Sequence, residues 1–382
     1  MRILMLNYEF PPLGAGGATS SFNLARHIVR LGHDVDMVTM AFRGVPRREV
    51  VEGINVYREP SVRARREVCH THEMMTYVLS GTWRAARLVR EQRYDVCNAH
   101  FIFPTGPVAY ATRRLGGPPY VLTARGSDVP GHNPNRFRLD HRLLEPVWRH
   151  LVRDASRVVA VSQNLADRIR SHAPELDVVV IPNGSSPLRL DADDANGAAP
   201  SPRRTDSILS VNRLHEFKGV QYLLEAAARI PSPPKIDIVG DGPYRATLEQ
   251  RARQLGVPAT FWGWLDRSSE DMLRLYQEAG VFVFPSEREG SPAVLQEAMA
   301  LGIPVIAANS AGSPEVVGDA GLLVPPRDPD SIASALLRLR SEPGLAEDLG
   351  RRARERVERM FDWSVLARRY VELYEEVAAK GR

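Results

Sequence analysis

Short apolar runs alternate with amphipathic stretches along this chain, stop at a small, polar, proline-bearing segment, and then begin again. No other feature of the sequence restricts the fold as tightly. The first series reads as strands at 2–7, 35–39, 54–58, 95–100, 120–125, 157–162 and 178–182, with helical periodicity over 20–31 and 73–91. The second reads as strands at 208–213, 235–240, 260–264, 281–285 and 304–308, followed by a helical tail from 328 to 379. Parallel strands need a crossover long enough to hold a helix, so β–α alternation of this kind predicts parallel sheets covered on both faces. The intervening segment, 186–206, carries Asp191-Ala192-Asp193-Asp194 and Ala198-Ala199-Pro200-Ser201-Pro202, the composition of a linker. The expected fold class is therefore α/β, with two doubly wound domains and a cleft between them, and ligands at the carboxyl ends of the strands.

Composition narrows the setting. Two cysteines, Cys69 and Cys97, make no disulfide framework and suggest a reducing compartment. The opening Met1-Arg2-Ile3-Leu4-Met5-Leu6-Asn7 is too short for a signal peptide and reads as a buried first strand. No apolar run reaches the roughly 18 residues of a membrane span. Residues 1–185 hold 25 Arg and 17 Asp+Glu, a net +8, whereas 186–382 come to −4. A basic half fits an anionic partner, although scattered solvated arginines give the same balance. Nucleic acid is disfavoured: no zinc-finger, homeodomain or RNA-recognition spacing occurs, and aromatics are not interleaved with the basic residues.

Three stretches carry chemistry. Pro285-Ser286-Glu287-Arg288-Glu289-Gly290-Ser291-Pro292-Ala293 runs straight into the helical Val294–Ala300. Gly290 permits close backbone approach, Ser291 suits an N-cap and Pro292 a first turn. A helix begun this way aims free N–H groups and a positive dipole end at a diphosphate. Glu289 and Glu297 lie at most about 12 Å apart along it, roughly the span from a donor's sugar to its ribose. A capped surface helix with two solvated carboxylates would read the same. In Val211-Asn212-Arg213-Leu214-His215-Glu216-Phe217-Lys218-Gly219, a strand ends at Arg213 and a helix starts near Lys218, which puts two cations on the sheet rim where a leaving diphosphate could be held. In the first turn, Gly14-Ala15-Gly16-Gly17-Ala18-Thr19 follows the first strand but lacks the last glycine of a dinucleotide fingerprint. Asp34 and Asp36 stand at the start of the second strand, where a ribose-binding acid does not belong.

The whole set resembles the retaining GT-B glycosyltransferases of the group 1 type, family four. The matching residues are the Pro11–Gly17 turn, Gly32-His33-Asp34-Val35, Asp95–His100, Thr123-Ala124-Arg125-Gly126-Ser127-Asp128, Ile181-Pro182-Asn183-Gly184, Arg213 with Lys218, Gly240-Asp241-Gly242-Pro243, Gly263-Trp264-Leu265, Glu289 through Glu297, Ser313–Val317 and Gly321–Val324. The resemblance implies two Rossmann-like domains: an acceptor-side domain over 1–185, a linker over 186–206, and a nucleotide-sugar domain over 207–361. A final helix, about 362–380, would return to the first domain.

It also implies roles. Arg213 and Lys218 would hold the donor diphosphate, with Glu289 as the third catalytic group. Glu297 would bind the ribose, Gly290, Ser291, Pro292 and Ala293 the sugar and phosphates, and Trp264 and Leu265 the base. Gly16 and Gly17 would reach the donor from the first domain. His100, Arg125 and Asp128 would line the acceptor side. Neither metal nor cofactor is implied; a UDP- or GDP-linked sugar is the co-substrate, and a glycan or lipid-linked molecule the acceptor, in surface polysaccharide or glycolipid synthesis. The expected location is cytoplasmic, with peripheral contact at the inner membrane face.

Arg125 stands where many members have His, which leaves the sugar open: it could pair with Asp128 or bind an anionic group. Asp191-Ala192-Asp193 and Cys69-His70-Thr71-His72 look like metal motifs, but the first lies in the linker and the second lacks a further ligand pair. Arg63-Ala64-Arg65-Arg66 with Trp83-Arg84 and Arg87 could touch anionic lipid or form a solvated face. Rival readings are a nucleotide-sugar epimerase on the same fold, a silent nucleotide-sugar-binding subunit, and a nicotinamide oxidoreductase built on the Gly14 turn.

Overall fold

The computed structural model describes residues 1–14, 16–66, 69–131, 138–185, 206–267 and 269–381. They form two compact units, Met1–Gly184 with Trp363–Arg382, and Ser185–Asp362. Ser185 falls in the second because it pairs with Asp362 and donates its N–H to Phe361 O at 2.7 Å. Most of the expected linker, including Asp191-Ala192-Asp193, lies outside the described residues.

The first unit contains β1 (Arg2–Leu6), α1 (Gly16–Arg30), β2 (Asp34–Met40), β3 (Arg48–Val51), β4 (Ile54–Glu59), α2 (Thr71–Glu91), β5 (Val96–His100), α3 (Thr105–Arg114), β6 (Tyr120–Ala124), α4 (Arg138–Asp154), β7 (Arg157–Ala160), α5 (Gln163–His172) and β8 (Val178–Val180). Its sheet runs β3-β4-β2-β1-β5-β6-β7-β8 and is parallel except for β3, which is antiparallel to β4. Strand alternation fills both faces. Leu4 and Leu6 join one core, with Tyr77 and Leu151, while Ile3 and Met5 join the other, with Leu24 and Ile28.

The second unit contains β9 (Ser207–Val211), α6 (Val220–Ala228), β10 (Lys235–Val239), α7 (Arg245–Leu255), β11 (Ala259–Gly263), α8 (Glu270–Glu278), β12 (Val281–Phe284), α9 (Ala293–Ala300), β13 (Val305–Ala308), α10 (Ser313–Val317), β14 (Leu322–Val324), α11 (Pro329–Ser341) and α12 (Pro343–Met360). Its sheet is wholly parallel in the order β11-β10-β9-β12-β13-β14. The last helix, α13 (Trp363–Lys380), belongs to the first unit. Trp363, Leu366, Tyr370, Tyr374 and Val377 complete the core that α1 covers, and Asn98 of β5 donates to the Tyr374 hydroxyl.

The strand reading recovers the interior of each sheet and misses two edges. β3 is four residues long, Arg48-Glu49-Val50-Val51, with alternate residues exposed, and its two valines are too short an apolar run to detect. β14 is three residues long. Among the described residues, no helix is long and apolar enough to cross a membrane.

Candidate active site

In each unit the chain order reverses beside the first strand: β1 lies between β2 and β5, and β9 between β10 and β12. The loops leaving these strands define a switch point, where an open α/β sheet gathers ligand-binding groups.

In the second unit, β9 delivers Asn212 and Arg213 to the rim, with Arg213 exposed. The glycine turn after β10 fixes their path. Leu214 donates to Asp241 O at 2.9 Å and Tyr244 to Leu214 O at 3.0 Å. Gly240 sits at φ 126°, and a Cβ there would overlap Asn212 O. Lys218 closes a single 3-10 turn, Glu216–Lys218, rather than opening a helix; Gly219 follows at φ 72° and packs against Pro285 O, after which α6 begins at Val220. Glu287 then donates to Phe217 O at 3.0 Å, tying the loop after β12 to the loop after β9. On its other side Gly312 donates to Glu289 O at 2.8 Å, and Ser310 Oγ to Glu287 O at 2.8 Å.

This double tether brings Lys218 and Glu289 into an ion pair, with Ser286 Oγ donating to the same carboxylate at 3.4 Å. Arg288, which the sequence reading passed over, lies above the Phe217 ring at 5.8 Å. Its Nη1 is buried without a hydrogen-bond partner among the described residues. A cation stacked on an aromatic face with an unused donor is suited to a phosphate or sugar oxygen.

Helix α9 departs from expectation at its start. Its N-cap is Pro292, and no side chain caps it. Ser291 Oγ instead accepts from Gln296 Nε2 at 3.2 Å, so the hydroxyl is drawn to the side of the helix. Leu295 and Gln296 both donate back to Pro292 O. The first turn therefore presents its end to a ligand without a competing side-chain acceptor. Glu297 is buried, ion-paired to Arg267 at 2.8 Å, and accepts from Tyr276 Oη at 3.2 Å. Burial lifts its carboxyl to about 7, against the opposing pull of Arg267 and Tyr276. Neither partner was singled out in the sequence, where 21 and 30 residues separate them from Glu297. Trp264 is 70% exposed just beyond β11, while Leu265 packs on the core.

In the first unit, His100 and Arg125 end β5 and β6. Arg125 Nη2 donates to His100 Nδ1 at 2.7 Å, and the guanidinium also reaches Asn183. Burial, and then Arg125, drive the His100 pKa well down, so the ring is neutral. Since Nδ1 accepts, the proton sits on Nε2. Of the two alternatives for Arg125, a side-chain pair with Asp128 is not the one formed: its backbone N–H reaches that carboxylate, at 2.9 Å. Asp128 Oδ1 also takes Gly126 N–H at 2.8 Å, and Oδ2 takes Ile102 N–H at 2.7 Å. Burial raises its pKa, and these backbone donors only partly oppose the rise. Asp128 thus clamps the loops after β5 and β6. It also walls an apolar pocket formed with Tyr8, Met74, Phe103, Trp148 and Leu151.

Gly16 opens α1 with free space where a side chain would stand, as a ligand-facing turn requires; at Gly17 a Cβ would meet Phe101 at 2.6 Å, so that glycine serves packing. Asp36 is consumed by Asn55, Gln92 and Tyr94 in the interior and Asp34 lies near Arg2 at 3.5 Å, so neither carboxylate is offered to a ribose at the end of β2. Of the metal-like run, Cys69 is buried beside Met40, and His70 and His72 stack with centroids 5.8 Å apart. The basic run also divides. Arg63 turns inward to the partly buried Glu9 at 3.5 Å, and Arg84 to the buried Glu59 at 2.6 Å.

The same two halves are recognised by comparison. Residues 14–187 match the model for Glycosyltransferase Family 4, and residues 193–356 that for Glycosyl transferases group 1. The TuaC glycosyltransferase assigned to teichuronic acid biosynthesis in Bacillus subtilis is 30% identical over 322 residues, spanning 80% of this chain and 77% of that protein. Sucrose-phosphate synthase (tll1590) of Thermosynechococcus elongatus has the same fold, with a TM-score of 0.82 at 23% identity over the full length of both chains. Anabaena Alr3699/HepE, solved in complex with UDP-glucose, superposes with a TM-score of 0.70 at 20% identity over 98% of this chain and all of that one. With two Rossmann-like units, a switch point in each and both halves matched, the chain belongs to the group 1, family four glycosyltransferases of the GT-B fold.

Proposed function

We propose that this enzyme transfers a hexose, with retention of anomeric configuration, from a UDP-linked donor to a glycan or lipid-linked acceptor. The reading rests above all on the Lys218–Glu289 pair and on Arg288 stacked over Phe217, in the tethered loops beside the start of α9, with Arg213 exposed just after β9 on the rim of the same sheet. A leaving nucleoside diphosphate develops negative charge as the glycosidic bond breaks. Arg213, Lys218 and the N–H groups of α9 stabilise that charge from positions fixed before the reaction, which lowers the barrier without a protein nucleophile. The acceptor hydroxyl attacks the anomeric carbon on the face the phosphate leaves. Its proton passes to the departing phosphate oxygen, so the carbon–oxygen bond to phosphate breaks as the new one forms. Glu289, held by Lys218, faces the sugar hydroxyls; Glu297 takes the ribose and Trp264 the base. Side-chain cations supply the charge that a metal ion supplies in other transferases, so the reaction proceeds in EDTA. HepE's complex with UDP-glucose favours UDP over GDP as donor nucleotide.

Thermal-shift titration with UDP-, GDP- and ADP-sugars tests this, because binding to the native state raises apparent stability by RT ln(1 + [L]/Kd). A UDP-sugar should stabilise the protein equally with and without EDTA, and Arg213→Ala should weaken the shift. A shift that vanishes in EDTA overturns the metal-free reading, and a product with inverted configuration by NMR overturns retention.

A further inference from the structure

Helix α2 carries an apolar ridge that the fold does not cover. Met75, Leu79 and Trp83 are 48%, 75% and 57% exposed. They recur every four residues and so stand on one face over about 12 Å of helix. The opposite face of the same helix is buried, through Met74, Tyr77, Ala85 and Leu88. Val62, 60% exposed, extends the ridge, because its N–H is bonded to Thr76 Oγ1 at 2.9 Å beside the first turns of α2. The pocket walled by Asp128 adjoins this helix through Met74 and has at its edge Val147, 45% exposed.

Exposed basic residues flank the ridge at both ends. Arg65 and Arg66 stand in the segment before α2, and Arg87 and Arg90 in its last turns. Arg87 also lies over the Trp83 ring at 5.9 Å. The exposed acid on the helix, Glu91, is paired with Arg87 at 2.6 Å. Leucine, methionine and tryptophan between arginines match the boundary of a bilayer, with apolar side chains entering among the acyl chains and guanidinium groups meeting lipid phosphates. A protein partner would be met equally well by the apolar residues, but the arginines at both ends favour a surface of uniform negative charge.

We infer that the exposed face of α2, centred on Met75, Leu79 and Trp83, docks this enzyme on an anionic lipid bilayer. The inference extends the lipid-linked acceptor reading to a particular surface, and its test does not pass through catalysis. Full-length protein is sedimented with vesicles of phosphatidylcholine alone or with about 30% phosphatidylglycerol, and the Leu79→Ser/Trp83→Ser double variant is compared. The wild type should bind the anionic vesicles, with binding that weakens as salt is raised, and the double variant should bind about 10-fold less. Its melting temperature and its response to UDP-glucose should be unchanged, because both side chains lie outside the core and outside the donor site. Failure of the wild type to bind anionic vesicles overturns the inference, as does equal binding by the double variant. A concentration-dependent dimer that the double variant abolishes overturns it in favour of a second copy of the chain. Vesicle binding without any response to nucleotide-sugars would leave the docking face standing and refute the donor reading instead.

Discussion

Replacing Glu297 by glutamine should change how stability depends on pH. In the folded protein burial lifts this carboxyl from its ordinary 4.5 to about 7, the ion pair with Arg267 and the Tyr276 hydroxyl only partly opposing it. The unfolded chain gives up the proton at lower pH than the folded one, so between those values the folded state holds more protons and stability falls as pH rises. A pKa rise of that size corresponds to roughly 3 kcal/mol. Integrated between about pH 5 and about pH 8.5, roughly 2–3 kcal/mol of stability is lost through this one group. The Glu297→Gln amide would keep the shape and still accept from Tyr276, but it does not titrate. Urea unfolding of both proteins across that range should therefore show the difference swinging toward Glu297→Gln by about 2–3 kcal/mol, with other titrations cancelling in the comparison. A second readout follows from the proposed role. Ribose hydroxyls donating to Glu297 favour its charged form, so calorimetry near neutral pH in buffers of different ionisation enthalpy should detect protons released on nucleotide binding. A stability difference that stays flat with pH would refute the argument and mean that Arg267 outweighs burial.

Other perturbations separate chemistry from structure. Arg213 is exposed, so Arg213→Ala should leave urea stability within about 0.5 kcal/mol while lowering kcat about 100-fold. Gly240→Ala forces a Cβ against Asn212 O at φ 126°; it should cost about 3 kcal/mol and shift the Asn212–Leu214 path, seen as joint loss of melting temperature and nucleotide binding. Arg84→Met strips Glu59 of its buried partner and should cost about 3–5 kcal/mol in urea unfolding. Truncation after Met360 removes Trp363, Tyr370 and Tyr374 from the first unit's core and should lower that unit's melting temperature; an unchanged value would refute the account of α13.

The parts of the fold that were legible are those set by backbone period and glycine geometry. The interior strands of both sheets announce themselves because burial on two faces demands near-continuous apolar runs, as in Val281–Phe284 and, interrupted only by Thr123, Tyr120–Ala124. The edges β3 and β14 do not, since an edge strand is free to be polar or short. At the site, the sequence marks Arg213, Lys218, Glu289 and Glu297 through their place on loops and helix, but it cannot say which carboxylate is already engaged. Glu297 is held by Arg267 and Tyr276 across loops whose lengths carry no signal. The Lys218–Glu289 pair spans 71 residues. Ser291 misled for a related reason: a hydroxyl one residue before proline suits a cap, yet Gln296 competes for it.

Charge shows the same limit more sharply. The surplus of arginine in residues 1–185 suggests an anion-facing surface, but much of it is structural. Arg58 is buried against Glu49 at 2.5 Å and two proline carbonyls, Arg63 and Arg84 face inward to carboxylates, and Arg125 is spent on His100 and Asn183. What remains outward near α2 includes Arg65, Arg66, Arg87, Arg90 and Arg93, and it gains meaning from the apolar ridge it borders. The second half of the sequence carries net negative charge, yet its rim gathers Arg213, Lys218, Arg288 and the positive end of α9, with Glu287 drawn off by Arg327 at 2.7 Å. An anion near that rim responds to charges within a few ångströms, because screening by salt removes those beyond about 10 Å. Local arrangement, and not the sum over a domain, therefore decides where a diphosphate binds: raising salt should weaken vesicle binding by the α2 face far more than nucleotide binding at α9, and a donor affinity as salt-sensitive as vesicle binding would contradict that.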